Sequence, residues 1–240
     1  MRDAFEAAEG YTEKFVGFLD PHEAAGAARY AKVICAQYES CSYALHGGYD
    51  RAERVFLGVF PPYAEPNFAT FPIVAISITW RFAQLTHRDF LGALLALGII
   101  RGKIGDIVVG DGNCTVFAEK TVASFIVQNL EKVGAAGVTV SICSGGFSLP
   151  EAQFSEISCT VASQRLDCLV AALTGCSRSS AAELITGGLV SVNFELCCDN
   201  AACVEKDATL SIRGHGRFVI DRLGPETRKG RLSFLARNYL

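Results

Sequence analysis

Arginines beside glycines and hydroxyl residues are the side chains here whose type and spacing point to chemistry. Arg165 precedes an apolar run, and Arg178 stands between Ser177 and Ser179. Each arginine is expected at the start of a helix, where the first backbone N–H groups have no intrahelical partner. Guanidinium and amide donors can then converge on one phosphate. Ser177 and Ser179 can cap and donate, and Asp167 is expected to orient Arg165 rather than touch a ligand. Asn193 closes the short segment Val190-Ser191-Val192-Asn193. Further on, Arg213, Gly214, Gly216 and Arg217, then Arg228, Lys229 and Arg231, read as a second basic cluster. Its glycines let the backbone approach a phosphate closely. The whole pattern suits a folded RNA-binding surface.

The charge balance agrees with that placement. The chain carries a net charge of −3, which argues against polyanion binding over the entire surface. The excess is uneven: residues 163–240 hold ten Lys/Arg and eight Asp/Glu, whereas residues 1–162 hold twelve and seventeen. An RNA contact is therefore expected in the C-terminal part.

Ten cysteines raise the question of metals and disulfides, but no Cys-x-x-Cys pair occurs. The four histidines are not at ligand spacing from any cysteine. With no signal peptide read at the N-terminus, the cysteines are expected to be reduced, mostly buried thiols of a cytoplasmic protein. No metal or cofactor is expected, and the chain is expected to be a monomer. The longest apolar run, 90–100, contains Gly92 and Gly98. It is about half the ~20 residues that span a bilayer, so it reads as a core helix with no membrane partner.

Three parts are expected to position these residues. Residues 1–72 read as an N-terminal helical and strand segment. Helix is expected to about residue 45, with Asp20-Pro21-His22-Glu23 as a stop and restart, and a strand follows at 55–60. Residues 73–155 read as β-α-β-β-α-β, the ferredoxin-like order also used by RNA-recognition modules. Its strands fall at 73–80, 106–109, 114–118 and 138–143, and its helices at 88–98 and 120–133. Such modules stack bases on exposed strand aromatics. The candidate strands at 106–109 and 114–118 offer one aromatic, Phe117, and it reads as core. Residues 156–240 hold two short helices, 163–174 and 177–186, followed by small strands. The fold class is thus α+β.

The motif Gln164-Arg165-Leu166-Asp167, then Ser177-Arg178-Ser179-x-Ala181, then Leu184-Ile185-x-x-Gly188-x-Val190-x-Val192-Asn193, resembles the S-four (alpha-L) RNA-binding domain. Lys206 departs from it, standing where the usual pattern has glycine. Upstream, His46-Gly47-Gly48-Tyr49-Asp50-Arg51-Ala52-Glu53-Arg54, Leu85-Thr86-His87-Arg88-Asp89 and Arg101-x-Lys103-x-Gly105-Asp106 resemble the YlmH family of bacterial proteins. So does the closing Arg213-Gly214-x-Gly216-Arg217-Phe218. The resemblance covers nearly the whole chain. It implies a role similar to ribosome-associated quality-control factors, with ribosomal RNA, a stalled peptidyl-tRNA and the large ribosomal subunit as partners. It also implies a link by name to the cell-division gene neighbourhood.

Two other readings compete. Arg165-Leu166-Asp167 matches the core of pseudouridine synthases, where the aspartate is the nucleophile. Here the triplet lies inside the S-four helix, and no catalytic domain follows, so no enzyme is expected. A cytosolic protein-docking adaptor linked to cell division is the other reading. His46, His87 and Arg88 with Asp50, Glu53 and Asp89 form a polar set, but they lie in separate segments. A catalytic site needs them to meet.

Overall fold

β-Branched and aromatic residues around Gly17 decide the first element against the helix expected from the sequence. A computed structural model of the chain describes residues 12–37, 41–143, 154–226 and 230–239. Lys14–Leu19 is a strand, β1, because Phe15, Val16 and Phe18 favour a pleated, half-buried surface over a helix. Helix α1 is Pro21–Gln37. Asp20 and Glu23 close a reciprocal capping box: each backbone N–H donates to the other's carboxylate at 2.8 Å. Ser42–His46 (β2) is also a strand rather than a helical continuation, and Val55–Phe60 (β3) lies where the sequence places it. These strands form a sheet of order β1-β3-β2, with Ala27 and Ala31 of α1 packed on Leu57 and Val59.

The next run is β4 (Ile73–Trp80), α2 (His87–Ala96), β5 (Ile104–Val109), β6 (Asn113–Glu119) and α3 (Lys120–Asn129). Two more strands follow, β7 (Lys132–Val133) and β8 (Ala136–Ile142). The second helix is shorter than the sequence suggests, because its last expected residues turn into the extra strand β7. The sheet order is β5-β6-β4-β8-β7. One face carries Ile76, Ile78, Cys114 and Val116, which pack with Phe90 and Leu94 of α2 and Ile126 of α3.

Part of the opposite face is sealed. Phe117 is fully buried in a cluster with Phe18, Phe56, Phe60 and Phe71 from the N-terminal region. Tyr49 stacks on Phe117 with ring centroids 4.8 Å apart. Gly48, at φ +102°, fits because a Cβ there would sit 2.5 Å from the Phe117 ring, and a Cβ on Gly105 would meet Phe18 at 2.7 Å. Both glycines belong to the upstream motifs, and close packing is what requires them. The chain divides into two compact units, Met1–Pro150 and Glu151–Leu240. Both N-terminal sheets lie in the first, so the expected division at 72/73 separates sheets that share a core.

The second unit contains β9 (Phe154–Val161), α4 (Leu166–Thr174), α5 (Arg178–Thr186), β10 (Val190–Val192) and β11 (Glu195–Leu196). It closes with β12 (Thr209–Ile212), β13 (Gly216–Glu226) and β14 (Leu232–Tyr239) in a sheet of order β11-β10-β12-β13-β14-β9. Leu166, Leu169, Val170 and Ile185 of the two helices pack on Leu210, Phe218, Ile220 and Phe234 of the sheet. The architecture is mixed α+β. No helix among the described residues is long and apolar enough to cross a membrane.

Candidate nucleic-acid interface

Arg165 is the N-cap of α4 and Arg178 is the first residue of α5. The tertiary fold joins them through Asp167. Arg165 donates to Asp167 from Nε at 3.1 Å and from Nη2 at 3.2 Å, and Arg178 Nη2 donates to Asp167 Oδ2 at 2.6 Å. The aspartate side chain is 8% exposed, against 45% for Arg165 and 59% for Arg178. A buried carboxylate thus anchors two guanidinium groups that remain open to solvent. The hydrogen bonds from Arg165, and then from Arg178, hold the Asp167 carboxyl well below the usual carboxylate range, although burial opposes them. The same bonds raise both arginines above their ordinary value.

Ser177 caps α5: its Oγ accepts from Ser180 N at 3.1 Å and lies 2.8 Å from Ser179 Oγ. Ser177, Arg178 and Ser179 are therefore consecutive on one exposed helix start. Two serine hydroxyls and two fixed guanidiniums are exposed together here. At α4 the free amides expected from the sequence are not available, because Leu166 N donates to Ala202 O at 2.9 Å and Asp167 N to Asn200 O at 3.2 Å.

Asn193 has a different setting. Asn193 and Phe194 both have positive φ, at +49° and +66°, and join β10 to β11 in a tight hairpin turn. Asn193 Oδ1 accepts from Thr209 N at 2.9 Å, so its carbonyl end holds the turn. Arg213 and Gly214 lie in the turn between β12 and β13, and Gly216 opens β13. Arg213, Gly216 and Arg217 line an open depression of about 480 Å³ with Gly188, Leu189 and Ser191. The Arg217 guanidinium sits 5.4 Å from the centroid of the Phe194 ring.

The basic cluster expected across 213–231 is not one cluster. Arg231 donates to Thr160 Oγ1 at 3.0 Å and to Thr160 O at 2.6 Å. Strand β13 pairs Phe218 with Asn238 near one end and Glu226 with Leu232 at the other. A strand that long carries Arg231 to the opposite end of the hairpin from Arg213, on the order of 30 Å away. Arg228 and Lys229 lie outside the described residues.

In the first unit the polar set of the sequence is divided. His46 stacks on Phe68 at 4.7 Å, and burial lowers its pKa. Asp89 is a capping residue, accepting from Thr86 N at 2.8 Å and Thr86 Oγ1 at 2.7 Å. His87 lies near Arg101, Asp106 and Glu53; burial first, then Arg101, lowers its pKa. Asp106 accepts from Tyr49 Oη, Glu53 N and Arg54 N at 2.9, 2.7 and 3.1 Å. Arg54 donates in turn to Ile104 O and Phe18 O. These motif residues stitch the two sheets of the first unit together. All ten cysteines are free, but only Cys114 and Cys168 are buried, which corrects the expectation of mostly buried thiols; no group of three His, Cys, Asp or Glu among the described residues could hold a metal ion.

Sequence reasoning missed Phe82. It is fully exposed in the turn after β4 and has φ +59°. Neither property is visible in the neighbouring residue types.

Comparison with known proteins adds three findings. A family model described as "Putative RNA-binding domain in YlmH" matches residues 65–144. A solved structure described as cell division protein ylmH from Streptococcus pneumoniae is 25% identical, with 60% of this chain and 86% of that chain covered and a TM-score of 0.48. The Bacillus subtilis ribosome-associated protein quality control protein P2 is 32% identical over 224 residues. That alignment takes in 92% of this chain and 85% of its relative, and the chain belongs to the YlmH family.

Proposed function

We propose that this protein is a ribosome-associated RNA-binding protein without catalytic activity. In this reading it meets ribosomal RNA and peptidyl-tRNA on the large subunit during rescue of stalled nascent chains. The observation that carries the reading is the pair Arg165 and Arg178, fixed on buried Asp167 at two helix starts. The B. subtilis relative, by its name, is ribosome-associated and acts in protein quality control, and the matched domain is described as RNA-binding. Residues 156–240 act as the S-four domain, with Arg165, Ser177, Arg178 and Ser179 on phosphate. Arg213, Gly214, Gly216 and Arg217 form a second contact, while Asn193 and Arg231 shape the sheet that carries them. Residues 73–155 act as the ferredoxin-like module, and residues 1–72 cover part of its outer face.

The pseudouridine synthase reading asks Asp167 to attack a base. Both of its carboxylate oxygens are engaged by arginines, and its side chain is 8% exposed. Such an aspartate positions cations and is poorly placed to reach a nucleotide.

The test is sedimentation with ribosomal subunits. The sequence suggests that Arg165→Ala with Arg178→Ala would leave the fold intact, but that pair would strand a buried carboxylate. The triple variant R165Q/D167N/R178Q removes the charges while keeping hydrogen-bonding groups. The expected result is co-migration of the unaltered protein with the large subunit and loss of co-migration in the triple variant. Retained co-migration in a folded triple variant overturns the assignment.

A further inference from the structure

We propose that the first unit carries a separate contact for single-stranded RNA, with the ring of Phe82 as its stacking platform. Phe82 is fully exposed, and its φ of +59° is one that side chains with a Cβ rarely adopt. The turn that presents it is fixed from both flanks. Trp80 Nε1 donates to Ala83 O at 2.8 Å, and Trp80 N donates to Gly112 O at 3.2 Å. The Trp80 ring is buried, with its centroid 5.1 Å from that of Phe90. An aromatic ring held out on an anchored turn loses little freedom when a base stacks on it. Exposed Arg81 adjoins it.

The adjoining sheet surface has matching chemistry. Strand alternation puts Ser77 and Thr79 on the face opposite Ile76 and Ile78. Register sets Thr79 between Asn113 and Thr139, and Ser77 between Thr115 and Ser141. The row Asn113, Thr79 and Thr139 lies at the end nearest the Phe82 turn and is exposed along its length, whereas in the next row Thr115 is buried, Ser77 is half-buried and only Ser141 is exposed. The aromatic part of this face, around Phe117, is sealed by the N-terminal sheet, whereas Thr79, Asn113, Thr139 and Ser141 are exposed. RNA-recognition modules stack bases on the strands themselves; here the sealed strands leave that role to the turn.

The occupant follows from the surface. Residues 73–143 carry six Lys/Arg and five Asp/Glu, so the charge is close to balanced. The exposed row of Asn113, Thr79 and Thr139, beside one ring and one arginine, accepts a base on the ring and sugar and phosphate oxygens on its hydroxyl and amide groups. A protein partner would favour a contiguous apolar patch, which these polar rows do not supply. The family model whose description names RNA binding spans all of these residues.

The test is fluorescence anisotropy of a short labelled oligouridine with the full chain. It is run in the R165Q/D167N/R178Q background, so that its outcome is independent of the second-unit reading. Phe82→Gly relieves the left-handed backbone as it removes the ring, which separates loss of binding from loss of fold. It should weaken binding about 5- to 150-fold, the range for one stacked base. The salt slope should stay unchanged, because no phosphate contact is removed. Phe82→Trp should bind as the parent does. Equal binding by the Phe82→Gly variant, binding by Phe82→Trp as weak as by Phe82→Gly, or no binding in the background protein overturns the proposal.

Discussion

Asp106 in the first unit and Asp167 in the second are both carboxylates that gather three or more donor bonds, and they do opposite things. Asp106 collects a tyrosine hydroxyl and two backbone N–H groups, from Tyr49, Glu53 and Arg54. Those donors are neutral and local to the fold, so the bonds close the junction between two sheets. Asp167 collects guanidiniums from two helix starts, and both guanidiniums stay largely in solvent. Those bonds fix positive charge at the surface. An aspartate's role thus follows from its donors: backbone N–H and hydroxyl donors make a staple, whereas guanidiniums on exposed side chains make a display.

Phe117 lies beneath Tyr49, one of the donors to Asp106. Phe117→Ala should destabilise the first unit by about 3–5 kcal/mol, the cost of emptying a packed aromatic site. Hydrogen exchange should show lost protection in β1, β3, β5 and β6 together and unchanged protection in the second unit. Protection lost in the five-stranded sheet alone would mean that the two sheets do not share a core. Next, Asp106→Ala removes the acceptor of three donors and should cost about 1–3 kcal/mol, read as a lower urea midpoint with an unchanged slope.

The display is broken differently. Arg165→Ala with Arg178→Ala leaves Asp167 buried without its cations, so the thermal midpoint should fall by several degrees. Adding Asp167→Leu should restore the midpoint but not RNA binding. Recovery of both would show that the arginines serve only the fold.

The smallest effect is one of pH. The folded-state pKa of Asp167 is depressed below its unfolded value, so its contribution is full above the unfolded value of about 3.9 and is lost as pH falls through the folded one. Acid titration of stability below about pH 4 should show a shallower loss for Asp167→Asn than for the unaltered chain. Equal slopes would mean that the pairing does not persist in solution.

Much of this was legible in the sequence. The capping pair Asp20 and Glu23, strands at 55–60 and 73–80, and the helix starts at Arg165 and Arg178 follow from local spacing, and the structure has them. The errors are also physical. Residues 14–19 and 42–46 flank an alanine-rich helix and read as helix by local sequence, but pairing with β3 makes them strands. The basic residues of 213–231 are close in sequence, yet a long hairpin sends Arg213 and Arg231 to opposite ends.

The periodicities, the caps, the uneven charge and the motif spacing can be read along the chain, because they depend on residues a few positions apart. That Arg165 and Arg178 share one carboxylate, that Phe117 is sealed beneath Tyr49, and that Phe82 stands fully in solvent are properties of the folded chain. Those facts depend on which distant segments meet and on the burial that results, and residue spacing along the chain does not encode either.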